Sequence, residues 1–144
     1  MASQPVTIET LLGVAPRKGD TRLGLSYSIL EGLPVGALDH LADTVAPGDS
    51  RFKFRLISKA TLDRRKKSAS KRLTSEEGDK LARIAKVFSF ALDIYKDPAK
   101  VRDFLGRAHP MLDNKPPLDV ALATGPGADV VINLLGRAAY GGGA

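Results

Sequence analysis

The chain has 144 residues and no cysteine. That length suits one or two small domains, and the composition excludes a disulfide framework, a thiolate nucleophile and a cysteine-ligated metal. No apolar run approaches the ~18 residues of a membrane span, and Met1 to Pro16 lacks the basic-then-apolar order of a secretory signal. With the absence of cysteine, this fits a protein of the reducing cytoplasm with no membrane partner. The net charge of +6 is unevenly placed. Between Arg51 and Arg72 lie ten basic residues and one acid, Asp63, so this window carries +9 and the rest of the chain −3. Charge collected in one segment is what recognition of nucleic-acid phosphate requires.

In chain order, residues 1–20 read as an arm. Val6, Ile8, Leu11 and Leu12 can form a helical turn, but Gly13, Pro16 and Gly19 interrupt it, and partial disorder is expected. Residues 21–31 read as a short helix that Gly32 ends. Pro34 is placed to start the next one, in which Val35, Leu38, Leu41, Ala42 and Val45 share one face. Pro47 and Gly48 stop it. Asp49 or Ser50 can cap a helix through about Leu56, and Ser58 can cap another from Lys59 to about Lys67. Two short helices joined tightly, the second strongly basic, form the pattern of a helix-turn-helix.

Ser68 to Arg72 reads as a polar break. Thr74-Ser75-Glu76-Glu77 is a capping box, and the helix it starts runs to about Tyr95. Its apolar stripe is Leu81, Ile84, Ala85, Phe88, Ala91, Leu92 and Tyr95, expected to pack with both halves of the chain. Asp97-Pro98 starts another helix with Val101, Phe104, Leu105 and Ala108 inward. Pro117 starts a short one, and Thr124-Gly125-Pro126-Gly127 is a turn into a last helix of about residues 128–139. There is no period-2 segment. The expected fold class is all-α: an arm at 1–20, a helix-turn-helix domain at 21–75 and a small helical domain at 76–144.

In a helix-turn-helix the N-terminal part of the second helix meets base edges in the major groove. Here that part carries Lys59, Thr61 and Arg64. Arg64 or Arg65 can grip guanine with two hydrogen bonds, and the Thr61 methyl can touch thymine. Lys66, Lys67, Lys71 and Arg72 are better suited to phosphates, which position the protein without reading sequence.

Catalytic readings are poor. His40 and His109 are the only histidines, and neither has metal-ligand spacing. His40, near Asp39 and Asp43, reads as a surface residue, and His109 as a partner of a helix C-terminus. Gly125-Pro126-Gly127 and Gly141-Gly142-Gly143 lack the Lys-Ser/Thr of a phosphate loop. The expectation is a protein with no enzymatic activity, no cofactor and no metal.

From Ser58 to Val87 the residues Thr61-Leu62, Arg64-Arg65, Leu73, Glu76-Glu77, Leu81, Arg83 and Val87 stand in an order that resembles the MbcA/ParS/Xre antitoxins. The C-terminal half resembles their toxin-binding domain at Phe104-Leu105, Pro117-Leu118, Thr124, Gly127-Ala128, Val130, Leu134 and Tyr140-Gly141. The resemblance covers roughly residues 21–144. It departs from the pattern at Phe104, usually Trp, at Asp113-Asn114-Lys115 in place of a glycine loop, and at Gly125-Pro126 in place of an acidic pair. These departures bear on partner specificity. The resemblance implies a RES-domain, NAD-degrading toxin as partner. It implies that the C-terminal domain covers the toxin's active site. It also implies that the N-terminal domain, as part of a homodimer, represses the promoter of its own operon. The toxin-binding residues it implies are Leu118, Val131, Leu135, Tyr140, Gly141, Gly142, Gly143 and Ala144. The alternative is a stand-alone helix-turn-helix regulator or partition-type protein whose second half only dimerises.

Overall fold

A computed structural model describes residues 7–15 and 23–140. Among them the secondary structure is helical, apart from two isolated backbone bridges, Pro34 with Arg72 and His109 with Lys115. The helices are α1 (Ile8–Leu12), α2 (Gly24–Glu31), α3 (Gly36–Val45), α4 (Lys53–Leu56), α5 (Lys59–Lys67), α6 (Ser75–Tyr95), α7 (Pro98–Gly106), α8 (Pro117–Ala123) and α9 (Gly125–Tyr140), with a short 3-10 turn at Pro110–Leu112. None is long and apolar enough to cross a membrane. The chain divides into two compact units, Met1–Ala82 and Arg83–Ala144, and the division falls within α6.

In the first unit, α1 packs on α3, and the segment expected as an arm supplies two core residues, Leu11 and Leu12. The Thr7 hydroxyl accepts the Thr10 amide at its start, and Gly13 ends it in the left-handed conformation (φ 65°). Its amide and that of Val14 return to carbonyls of the last turn. A β-carbon at Gly13 would collide with the exposed His40 ring on α3, so glycine is required there for two reasons. The rest of the arm, residues 1–6 and 16–20, lies outside the described residues, as do Thr21 and Arg22 of the helix expected from residue 21.

Pro34 does not begin α3 itself. It sits in a backbone bridge, with the Val35 amide donating to Lys71 O (3.1 Å) and the Leu73 amide to Leu33 O (2.8 Å). The helix therefore starts two residues later. Asp49 accepts the Arg51 amide in the turn before α4 rather than capping the helix directly. Val35, Leu38, Leu41, Ala42 and Val45 are buried as the spacing predicts, with Phe52, Leu56, Ile57, Leu62 and Leu73 around them.

In the second unit, Ile84, Ala85, Phe88 and Ala91 of α6 are buried, with Leu92 and Tyr95 half-buried. Asp97 caps α7 by accepting the Ala99 amide (2.9 Å). Val101 and Leu105 face inward, but Ala108 lies past the helix end and is exposed. Phe104 meets Tyr95 at a tilt (centroids 5.8 Å apart) and His109 edge-on (6.3 Å). His109 does not serve the end of α7. Its Nδ1 accepts the Met111 amide (3.1 Å) and caps the 3-10 turn instead.

Gly125-Pro126-Gly127 forms the first turn of α9 rather than a turn before it. The Thr124 hydroxyl accepts the Gly127 amide (2.9 Å), and proline is tolerated in a first turn, where its missing N–H has no helical partner. α9 lies so close to α8 that a β-carbon on Gly127 would meet Val120 O.

Phe88 is fully buried, so Phe88→Ala is expected to cost about 3–5 kcal/mol. A thermal melt of the full chain measures this, and an unchanged melting temperature would show that the side chain is not packed.

Candidate functional site

The first candidate surface is α5. Ser58 caps it: its hydroxyl oxygen accepts the Thr61 amide (3.2 Å), and the hydroxyl donates to Thr61 Oγ1 (2.9 Å). Leu62 is the one buried residue of the helix. It pins one face to the core and leaves Lys59, Ala60, Asp63, Arg64, Lys66 and Lys67 exposed. Among the described residues no carboxylate pairs with Lys59, Lys66 or Lys67. Arg64 Nη2 makes one contact with Thr61 Oγ1 at 3.4 Å, and its guanidinium remains open to solvent.

Arg65 is placed differently. Its Nε donates to Glu77 Oε1 (2.9 Å) and its Nη2 to Glu77 Oε2 (3.1 Å), a two-pronged ion pair between half-buried side chains. The same carboxylate accepts the Thr74 amide (2.8 Å) while the Thr74 hydroxyl accepts the Glu77 amide (3.2 Å). The capping box read in the sequence is therefore also the anchor of α5 on the start of α6. The sequence shows the box but not the pair, because the partners are 12 residues apart.

Ser68 to Arg72 is a built turn. Ser68 Oγ donates to Arg65 O (2.7 Å) and accepts the Lys71 amide (3.1 Å). Lys71 holds a left-handed backbone (φ 50°), uncommon for a residue with a side chain. The Arg72 side chain donates to Gly32 O (2.7 Å). Both residues are exposed. Of the other basic residues, Lys53 pairs with Asp39 (3.3 Å) and joins α4 to α3. Within Arg51 to Arg72, the exposed cations Lys59, Arg64, Lys66, Lys67, Lys71 and Arg72 stand together on α5 and the turn after it.

The second candidate surface is α8 and α9. Of the residues implied as toxin-binding, Val131 and Leu135 are fully buried, so they support the surface from beneath. Leu118 is half-buried. The Tyr140 side chain and Gly141, Gly142, Gly143 and Ala144 lie outside the described residues. Among the described residues, the exposed large apolar side chains of this unit are Met111 and Val130; Val130 is one of the positions that carry the family resemblance, and Met111 is not. On α9 Val130 is turned outward while its neighbour Val131 is buried.

The Glu77 carboxyl is pushed up by burial, but the Arg65 hydrogen bond, the Thr74 amide and the Arg65 charge together hold it below its usual 4.5. A carboxyl lowered in the folded state contributes stability above its unfolded pKa, and that contribution is lost as pH falls through the folded value. Glu77→Gln keeps a capping oxygen and removes the charge. It is expected to melt below the wild type at pH 7, with the difference shrinking as pH falls below 4.5. A difference independent of pH would mean that the ion pair contributes nothing.

Two family models match the chain in succession. An antitoxin Xre-like helix-turn-helix domain matches residues 24–86, and an antitoxin Xre/MbcA/ParS C-terminal toxin-binding domain matches residues 90–141. A search of curated proteins returns no match. The first matched stretch contains the capped basic helix and its anchor, and the second contains α7 to α9. The chain belongs to the Xre/MbcA/ParS-type antitoxins, a DNA-binding helix-turn-helix domain followed by a toxin-binding domain.

Proposed function

We propose that this antitoxin neutralises a RES-domain, NAD-degrading toxin by covering its active site, and that as a homodimer it represses the promoter of its own operon. The observation that carries this reading is the succession of the two matched domains on one chain, DNA-binding then toxin-binding. The RES assignment rests on the C-terminal residues from Phe104-Leu105 to Tyr140-Gly141. Inhibition by occlusion needs shape and buried area, and no catalytic group, cofactor or metal from the antitoxin.

In this reading α5 enters the major groove. Lys59, Thr61 and Arg64 face the bases, and Lys66, Lys67, Lys71 and Arg72 take phosphates. Arg65 stays with Glu77 and holds the helix at its angle. Support for the dimer comes from α2, which has no buried residue. Leu23, Tyr27 and Leu30, at helical spacing, are exposed large hydrophobic residues, a stripe that a second copy can cover.

Residues Tyr140 to Ala144 extend the covering surface. Three glycines can enter a narrow cleft, and Tyr140 offers a flat ring for a nucleotide-shaped site. Leu118, with Val131 and Leu135 beneath, forms the helical part of the same contact.

Removing Lys66 and Lys67 is expected to weaken binding to all DNA sequences alike. It should also flatten the log–log salt dependence by about 0.9 per lost phosphate contact. Arg64→Ala should instead relax base preference, at about 1–3 kcal/mol if the side chain grips guanine. Electrophoretic titration of the promoter at several salt concentrations measures both. Promoter binding retained in full by a chain with the whole basic face of α5 neutralised would end the major-groove assignment.

The toxin arm is tested by co-expression with the product of the adjacent toxin gene and an assay of NAD loss. The whole chain is expected to abolish NAD loss, and a chain ending at Ala139 to restore it while still binding promoter DNA. Inhibition kept by the truncated chain would rule out the tail, and a neighbour with no NAD-degrading activity would rule out the RES assignment.

A further inference from the structure

Met111 and Val130 are far apart in sequence, yet they line one shallow depression with Leu112, Asn133, Leu134 and Arg137. They are 59% and 49% exposed, whereas large apolar side chains elsewhere in this unit are buried or half-buried among the described residues. On α9, residues 130, 133, 134 and 137 fall at three- and four-residue steps, so they form one stripe, and it leads toward Tyr140, where the helix ends.

The exposure of Met111 is enforced by the loop that carries it. His109 caps the 3-10 turn through the Met111 amide. Below it the loop closes on itself, His109 N donating to Lys115 O (3.1 Å) and Asn114 N to His109 O (3.0 Å). Asp113 and Asn114 both take left-handed backbones (φ 54° and 59°), which Asp and Asn accept more readily than other side-chain-bearing residues. Leu112 is turned into the core by the same bend. The thioether is thus held out by a hydrogen-bonded loop, and a partner need not order that loop on contact.

We propose that the depression between Met111 and Val130 is the docking point of the toxin on this domain, receiving one apolar side chain of the toxin beside a carboxylate that pairs with Arg137. The inference rests on the antitoxin reading and adds to it the surface that makes the contact. Three observations favour this occupant. Every lining residue falls within the matched toxin-binding stretch, 90–141. The depression holds about 140 Å³, below the ~300 Å³ at which small-molecule pockets begin, so it suits a side chain of a protein rather than a metabolite. Arg137 stands exposed at the rim and pairs with no carboxylate among the described residues. An apolar centre with an arginine at its edge is the composition of an energetically dominant protein contact, and methionine adapts its shape to the surface it meets.

The test uses the full chain and the purified product of the adjacent toxin gene, with affinity measured by calorimetry. Met111→Glu and Val130→Glu are each expected to weaken binding about 30-fold or more, the scale of an interface hot spot. Arg137→Gln should weaken it less and flatten its salt dependence. Lys86→Glu, exposed on α6, serves as the control and should bind as the wild type does. Promoter binding should be unchanged in all of them, and the thermal melt of the full chain should match the wild type, which shows that both units have folded. If a glutamate variant fails that check, Met111→Ser and Val130→Ser replace it, with the same direction expected. Wild-type affinity in the Met111 and Val130 variants overturns the docking site while leaving the antitoxin reading intact. A change in the oligomeric state of the free antitoxin without a change in toxin affinity also overturns it, and makes the patch a contact between copies. Failure of the wild-type chain itself to bind the toxin would refute the pairing, and the docking site with it.

Discussion

A single carboxylate carries the DNA-binding half. Glu77 closes the first turn of α6 by accepting the Thr74 amide, and with both oxygens it grips the Arg65 guanidinium of α5. A short helix with one buried side chain, Leu62, has little apolar area with which to fix its own angle. A flat, forked ion pair supplies the direction that one leucine cannot, because guanidinium and carboxylate meet in a defined plane. The turn after α5 adds a second tether, where residues 71–73 pair with 33–35 and Arg72 reaches Gly32 O. Between the two tethers the outer face of α5 keeps its cations open to solvent.

How far the sequence could be read follows from how far each signal travels along the chain. The caps at Ser58, Thr74-Glu77 and Asp97 were legible, since donor and acceptor lie within three residues of each other. The limits of α5 and the extent of α6 followed from them. The stripe Leu81, Ile84, Ala85, Phe88 and Ala91 was legible as a period. Contacts closed by the tertiary fold were not. Nothing local announces that Arg65 is diverted to Glu77, that Leu11 and Leu12 pack under α3, or that residues 33–35 and 71–73 form a bridge. His109 was misread because its role depends on where α7 stops, and α7 stops at Gly106, before the proline that marks the break. The candidate DNA-binding residues were mostly visible as charge. The exposure of Met111 and Val130 was not, because apolar residues in a sequence look alike whether they turn inward or outward.

The toxin-binding half shows why apolar stripes alone do not define a contact surface. Val131 and Leu135 hold α9 against its neighbours, and the close fit of α8 and α9 at Gly127 keeps that packing tight. Rigidity beneath a surface lowers the entropy lost on binding. Buried and exposed members of the same helix thus have separate tasks: the buried ones set the position of the surface, and Val130, Asn133 and Arg137 present its chemistry.

The division of labour around α5 also shapes how such DNA-binding domains can diverge. Leu62 and Arg65 hold the helix, while Lys59, Ala60, Asp63 and Arg64 touch nothing in the core. A lineage can therefore exchange the latter residues without first losing its fold. A genome with several such antitoxins needs that freedom, because each DNA-binding domain must ignore the sites of its siblings. Keeping the anchoring Arg65 apart from the exposed Arg64 lets the outer face of the helix change by single substitutions.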